Sequence, residues 1–196
     1  MESYPQQQED WMHKDIQEVL FTEDEIARRI AEIGAEITKD FAPVAEAGER
    51  IVLISVLRGA AIFMADLVRK IQLPMEMDYI AISSYGNGAK SSGVVRILKD
   101  LTTDVKGQHI IVAEDILDSG LTLNYLIKNL SSREPASITV ATLLRKKTLQ
   151  QAKIDCRYIG FECPDKFIVG YGLDYAEQYR NLPYIGILKP EVYHCA

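Results

Sequence analysis

At 196 residues the chain has the length of one domain with room for a small subdomain, and it can bury a sizeable core. Its apolar and charged fractions, 47% and 26%, are those of a soluble globular protein, and a net charge of −6 argues against a nucleic-acid surface as its main business. Three cysteines, Cys156, Cys163 and Cys195, are odd in number and lack metal spacing, and no apolar run approaches membrane-spanning length, which points to a reducing cytoplasm without a disulfide framework. The acidity is uneven. Residues 1–50 carry 13 Asp/Glu against 5 Lys/Arg, whereas the remainder carries 15 against 17, a balance that suits an anionic ligand there.

Residues 1–20 are polar and acidic and read as irregular at the start. Thr22-Glu23-Asp24-Glu25 has the pattern of a reciprocal helix cap, with acids in the first turn. Ile26, Ile30, Ile33, Ile37 and Phe41 recur at helical spacing, so an amphipathic helix is predicted, ending near Pro43. Ile51 to Val56 is a continuous apolar strand, followed by Leu57-Arg58-Gly59 and an alanine-rich helix from Ala60 to Ile71. On its own, Leu-Arg-Gly reads more readily as a surface Arg and a turn Gly than as a site.

Met75 to Ser84 is the next predicted strand. The small and polar residues from Ser84 to Gly93 form a loop or hairpin connection, and Val94 to Leu98 returns from it.

The chain is organised around His109 to Thr122, HIIVAEDILDSGLT. Its apolar run suits a strand buried on both faces of a parallel sheet. Such sheets bind ligands beyond the carboxyl ends of their strands, where Glu114 and Asp115 are placed. Asp118-Ser119-Gly120 is a loop of small residues opening a helix whose free N–H groups favour an anion such as phosphate, and Ser119 and Thr122 add hydroxyls. Carboxylates that accept from sugar hydroxyls or hold a hard divalent cation, beside an anion cradle, together suit a sugar phosphate. A solvated turn with a capped helix has the same local pattern.

The helix runs from about Leu121 to Leu130, and Ser137 to Leu144 is another buried strand, ending in the basic triplet Arg145-Lys146-Lys147. Arg157 to Phe161 and Lys166 to Val169 read as short strands, and Pro183 to Leu188 as the last. Phe167, inside such a strand, has the position of a core aromatic.

The apolar strand, the paired acids and the Asp118-Ser119-Gly120-Leu121-Thr122 loop together resemble the phosphoribosyl-diphosphate motif of the type I phosphoribosyltransferases, and Asp118 narrows the likeness to the 6-oxopurine, hypoxanthine-guanine branch. The segment Pro164 to Tyr175 with Arg180 is a second specific match, so the resemblance covers about Ile51 to Leu188. It implies an α/β fold with a mainly parallel central sheet flanked by helices, core about 45–165, and a small hood subdomain from about 1–44 and 166–196. It implies transfer of ribose 5-phosphate from phosphoribosyl diphosphate to N9 of hypoxanthine or guanine, with Mg2+ as cofactor, in a homodimer or homotetramer.

Carried over residue by residue, the resemblance makes Asp118 the general acid/base at purine N7. Glu114 and Asp115 lie at the ribose hydroxyls and a magnesium ion, and Asp118 to Thr122 (Ser119, Gly120 and Leu121 between them) hold the 5′-phosphate. Arg58, Gly59 and Arg180 contact pyrophosphate, and Asp174 helps hold a second magnesium ion. Lys146 bonds the 6-oxo group, Phe167 stacks on the purine, Ile168 reads its edge through the backbone, and Ser84-Tyr85 belongs to a closing loop. The family often has a cis peptide at the position of Leu57–Arg58; the sequence leaves that open. Ser119 stands where the family commonly has Thr, and Arg58 where Lys is commoner.

A nucleic-acid-binding regulator on the same fold needs a basic surface or an added module, which the acidic first 50 residues do not supply. A phosphoacceptor domain gives no reason for Asp118-Ser119-Gly120 or for Phe167 to Arg180, and neither GxGxxG nor GxxxxGK[ST] is present.

Overall fold

The two most apolar runs of the chain lie side by side in the middle of a six-stranded sheet. The computed structural model describes residues 10–84, 95–146, 152 and 154–193. In chain order these form α1 (Asp10–His13), β1 (Ile16–Phe21), α2 (Glu23–Glu46), β2 (Ile51–Leu57), α3 (Ala61–Val68), β3 (Glu76–Ser84), β4 (Val95–Lys99), β5 (His109–Leu117), α4 (Leu121–Ser131), β6 (Ser137–Lys146), β7 (Tyr158–Cys163), β8 (Ile168–Val169), β9 (Ile185–Leu188) and α5 (Pro190–Tyr193). The large sheet has the order β4-β3-β2-β5-β6-β7. All its pairings are parallel except β3 with β4, which forms an antiparallel edge. The expected mainly parallel α/β sheet is therefore the fold.

Helices cover both faces. On one side Ile26, Ile30, Ile33, Ile37 and Phe41 of α2 and Phe63, Met64 and Leu67 of α3 pack on Ile51, Leu53, Ile111 and Ala113. On the other, Leu123, Leu126 and Leu130 of α4 pack on Val52, Ile54, Ile110 and Val112. Odd and even positions of β2 and β5 thus serve opposite layers, as alternation along a strand requires. Full burial of each such Ile, Leu, Val, Phe or Met side chain stabilises by about 1.5–3 kcal/mol. The Thr22 cap forms as predicted, with Thr22 N–H donating to Glu25 Oε2 at 2.9 Å and Glu25 N–H donating to Thr22 Oγ1 at 3.4 Å.

A second, three-stranded antiparallel sheet, β1-β9-β8, joins the two ends of the chain. Its own cluster holds Val169, Tyr179, Leu182, Tyr184 and Leu188, with Met12, Ile16 and Tyr193 packed against it.

Several predicted boundaries move. The second helix does not stop at Pro43; it continues to Glu46 because Val44 and Ala45 still pack against the core, so one turn survives the lost N–H. The third helix ends at Val68 rather than Ile71. β5 continues through Glu114 and Asp115 to Leu117. Residues 10–21, expected to be irregular at the start, hold α1 and β1. Phe167 lies just before a two-residue strand rather than inside a longer one.

Candidate active site

The acidic pair sits where β5 loses one neighbour and keeps the other. Pairing with β2 ends at Ala113, opposite Ser55, whereas pairing with β6 runs on through Glu114 and Ile116 to Leu117. The gap left on the β2 side is filled by the turn after β2. There the Leu57–Arg58 peptide is cis, and Gly59 lies so close to the Asp115 carboxylate that a side chain at 59 would collide with it.

Glu114 and Asp115 are poorly compensated. Glu114 Oε2 is buried without a hydrogen-bond partner. Burial, then the charge of Asp115, hold the Glu114 carboxyl well above the usual carboxylate range. Burial pushes Asp115 up to about 6, although the Ile116 N–H at 2.8 Å and the charge of Arg180 favour its ionised form, while Asp174 opposes it. Such buried oxygen donors, adjacent in the chain and short of positive charge, fit a hard divalent cation. Among the described residues no three His, Cys, Asp or Glu side chains form a closed cage. Magnesium characteristically takes one or two carboxylates and completes its shell with water and phosphate oxygens, so this donor set suits it.

After Leu117 the chain turns through Asp118, Ser119 and Gly120 into α4. Gly120 is buried at φ 76° and caps the helix with no side-chain hydrogen bond of its own, and the Leu121 N–H of the first turn donates to Ser119 Oγ over a long 3.4 Å. The Ser119 carbonyl accepts from Ala152 N–H at 3.2 Å, and Asn124 N–H donates to the Gly120 carbonyl at 2.8 Å, fixing the loop. Such an N-terminus is suited to an anion.

A cleft of about 620 Å³ opens beside this strand end, lined by Asp115, Ile116, Asp118, Lys146, Lys166, Phe167, Ile168 and Asp174 among others. Lys146, only 12% exposed, is held between two carboxylates, 3.6 Å from Asp118 Oδ2 and 3.6 Å from Asp165 Oδ1. Phe167 is 37% exposed, stacks on Tyr193 with centroids 4.9 Å apart and meets Tyr175 edge-on at 5.4 Å. On the far side, Arg180 bonds Asp174 Oδ1 at 2.8 Å and the Gly172 carbonyl at 2.8 Å.

The structure therefore gathers Asp115, Asp118, Lys146, Phe167, Ile168 and Asp174 around one cleft. Arg180 adjoins it through Asp174, Gly59 through Asp115, and Arg58 through Glu177, which bonds Arg58 at 2.9 Å. Glu114 and the stretch Ser119, Gly120, Leu121 and Thr122 flank it in chain sequence rather than line it. Ser84 closes β3, but its side chain, Tyr85 and the expected loop to Gly93 lie outside the described residues. Asp165, Leu173, Glu177 and Tyr193 were not singled out from sequence. Asp165 and Leu173 lie inside the segment Pro164 to Tyr175 that the sequence already marked, and that placement was the signal for them.

Residues 17–176 match the model of the phosphoribosyl transferase domain. The chain is 52% identical over 180 residues to the hypoxanthine-guanine phosphoribosyltransferase of Mycobacterium avium, covering 91% of this chain and 89% of that protein. The chain belongs to the phosphoribosyltransferase family, in its hypoxanthine-guanine branch. The enzyme of the same name from Bacillus subtilis is 51% identical over 185 residues, covering 93% of this chain and 98% of that one. A crystal structure of a hypoxanthine phosphoribosyltransferase from Staphylococcus aureus superposes with a TM-score of 0.87 at 44% identity, covering 93% of this chain and 96% of that one. Within this phosphoribosyltransferase fold, no helix among the described residues is long and apolar enough to cross a membrane.

Proposed function

We propose that the chain transfers ribose 5-phosphate from phosphoribosyl diphosphate to N9 of hypoxanthine or guanine, giving IMP or GMP and pyrophosphate, in purine salvage. The names of its relatives support the reaction class. The observation that carries the reading is the Asp118–Lys146 pair, 3.6 Å apart, on the wall of a cleft that also holds an exposed aromatic and the acidic end of β5.

Phe167 and Ile168 seat the base, and Lys146 donates to its 6-oxo oxygen. Asp118 exchanges a proton with the adjacent N7, so the two side chains read neighbouring acceptors on one edge. Glu114 and Asp115 accept from the ribose hydroxyls. The N–H groups of Asp118 to Thr122, with the hydroxyls of Ser119 and Thr122, hold the 5′-phosphate. Arg58, Gly59 and Arg180 face the pyrophosphate. Glu114 with Asp115, and Asp174 separately, are the residues that would hold magnesium, which when bound neutralises the departing diphosphate. Because the bond at C1′ breaks ahead of attack, these residues contribute chiefly by orienting the base and compensating charge. A cytoplasmic setting and a homodimer or homotetramer belong to the same proposal and rest on the family resemblance.

A spectroscopic assay with phosphoribosyl diphosphate, magnesium and each purine in turn tests it. Hypoxanthine or guanine should be converted. Adenine should be disfavoured by about 10⁴-fold or more, because Lys146 would face an amino group in place of an acceptor. Asp118→Asn should lower turnover by roughly 10²- to 10⁴-fold with an unchanged circular dichroism spectrum. Comparable rates with adenine, or near-normal turnover in the variant, would remove these assignments.

A further inference from the structure

One carboxylate joins the two arginines that adjoin the cleft. Glu177 Oε1 lies 2.9 Å from Arg58 Nη2, and Glu177 Oε2 lies 3.5 Å from Arg180 Nη2. The arginines come from separate parts of the chain, one after β2 and the other in the turns before β9. Gly172 brings them together. Its backbone lies against the Gly59 carbonyl with no room for a side chain, at a φ of +100°. Its N–H donates to the Arg180 carbonyl at 2.9 Å, and its own carbonyl accepts from Arg180 Nη1 at 2.8 Å.

Arg180 is also left with an unused donor, since its Nε is buried and has no hydrogen-bond partner. A buried N–H without an acceptor is unfavourable, so its presence marks a position where a ligand oxygen would be favoured. Glu177, by contrast, is 58% exposed, as is most of Arg58 at 70%. Exposed ion pairs contribute little to stability, so this bridge is readily surrendered.

We infer that Glu177 holds the seat of the diphosphate. It spans the two guanidinium groups while the site is empty, yields them to the pyrophosphate group of the substrate, and returns as pyrophosphate leaves. A diphosphate offers more charge and more oxygens to two guanidinium forks than one carboxylate does, so the exchange favours the ligand. The competing carboxylate nevertheless lowers the net affinity, and Glu177 thereby sets how tightly pyrophosphate is held and how easily it is released. The inference rests on the reading of Arg58 and Arg180 as pyrophosphate contacts.

Calorimetric titration of magnesium pyrophosphate into the wild type, Glu177→Gln and Glu177→Asp tests it, alongside the KM values for phosphoribosyl diphosphate and hypoxanthine. Glu177→Gln should bind pyrophosphate roughly tenfold more tightly, because a like charge facing the ligand has been removed. Its KM for phosphoribosyl diphosphate should fall while that for hypoxanthine stays put, and Glu177→Asp should remain close to the wild type. Equal or weaker pyrophosphate binding by Glu177→Gln overturns the inference. Should that variant fail to fold, Glu177→Ala is read on the same scale. A wild type that turns over substrate while the variants show no gain defeats this inference alone; a wild type that binds no pyrophosphate defeats the reading of the site and the inference with it.

Discussion

Asp78 and Asp115 are both acids of the same sheet, yet their surroundings are opposite. Asp78, 4% exposed, accepts from Tyr79 N–H at 2.7 Å, Thr102 N–H at 2.7 Å, Thr103 N–H at 2.8 Å and Thr102 Oγ1 at 3.1 Å, with Lys99 Nζ at 3.4 Å. Burial raises its proton affinity, but the N–H donors of Thr103, Tyr79 and Thr102 outweigh it and hold the carboxyl far below the usual range. Asp115 meets burial with fewer donors, and the charge of Asp174 opposes that of Arg180, so it moves the other way. Asp78 is a latch that fixes the loop after β4. The Glu114–Asp115 end of β5 is left short of positive charge and donors, which are then available for a substrate and its cation to supply.

The largest effect that would separate the two regions is on catalysis. Asp115→Asn should lower turnover with hypoxanthine by on the order of 10²–10³-fold, since it removes the charge proposed to act on the reacting sugar, while thermal stability is kept or improved. A drop in melting temperature accompanied by modest loss of turnover would erase the contrast, because Asp115 would then behave as a structural acid.

Asp78→Ala is the converse. It strands two backbone N–H groups outside its own strand, those of Thr102 and Thr103, together with Lys99. Unfolding in urea should show a loss of about 2–4 kcal/mol, read as a lower midpoint at constant slope. Turnover per folded molecule should stay near that of the wild type. An unshifted midpoint would show that the donors find other partners and that the latch contributes little.

What could be read from the sequence follows the same division between local and distant causes. β5, its acids and the Asp118 loop were legible because an apolar run, a charge pair and a small-residue turn are adjacent in the chain. α2 was legible from its isoleucine spacing, but its end was not. The proline rule is local, and the packing of Val44 and Ala45 that overrides it is not. β1 was missed because Ile16 to Phe21 exposes Gln17, Glu18 and Val19 in succession and shows no alternation; it is a strand because β9, far along the chain, pairs with it. Lys146 could be named only through the family resemblance, since a basic triplet by itself reads as a solvated turn, and its position between Asp118 and Asp165 depends on β6 and the turn after β7 meeting in space. Tyr193 lies past the last strand that could be read, and it reaches Phe167 only because β9 carries the chain back to the cleft.

The smallest effect is the one with the most telling sign. An unfolded aspartate titrates near 3.9, about where Asp115 would lose its proton without the fold, whereas in the folded chain burial moves that loss to about 6. Between roughly pH 4 and pH 6 the folded state therefore holds a proton that the unfolded state has released. The stability tied to that proton is fully present below about pH 4 and is lost as pH rises through 6. Asp78 runs oppositely: its contribution is present above the unfolded value near 3.9 and disappears only as pH falls through its depressed folded value. Melting curves of magnesium-free protein from pH 4 to 7 should consequently show Asp115→Asn gaining on the wild type as pH rises, reaching about 2–5 °C at pH 7. Added magnesium should narrow that gap by compensating the wild-type carboxylates, as any ligand that binds the folded state does. A wild type that gained on Asp115→Asn over the same range would mean that Asp115 is already balanced by its neighbours, and the contrast with Asp78 would fail.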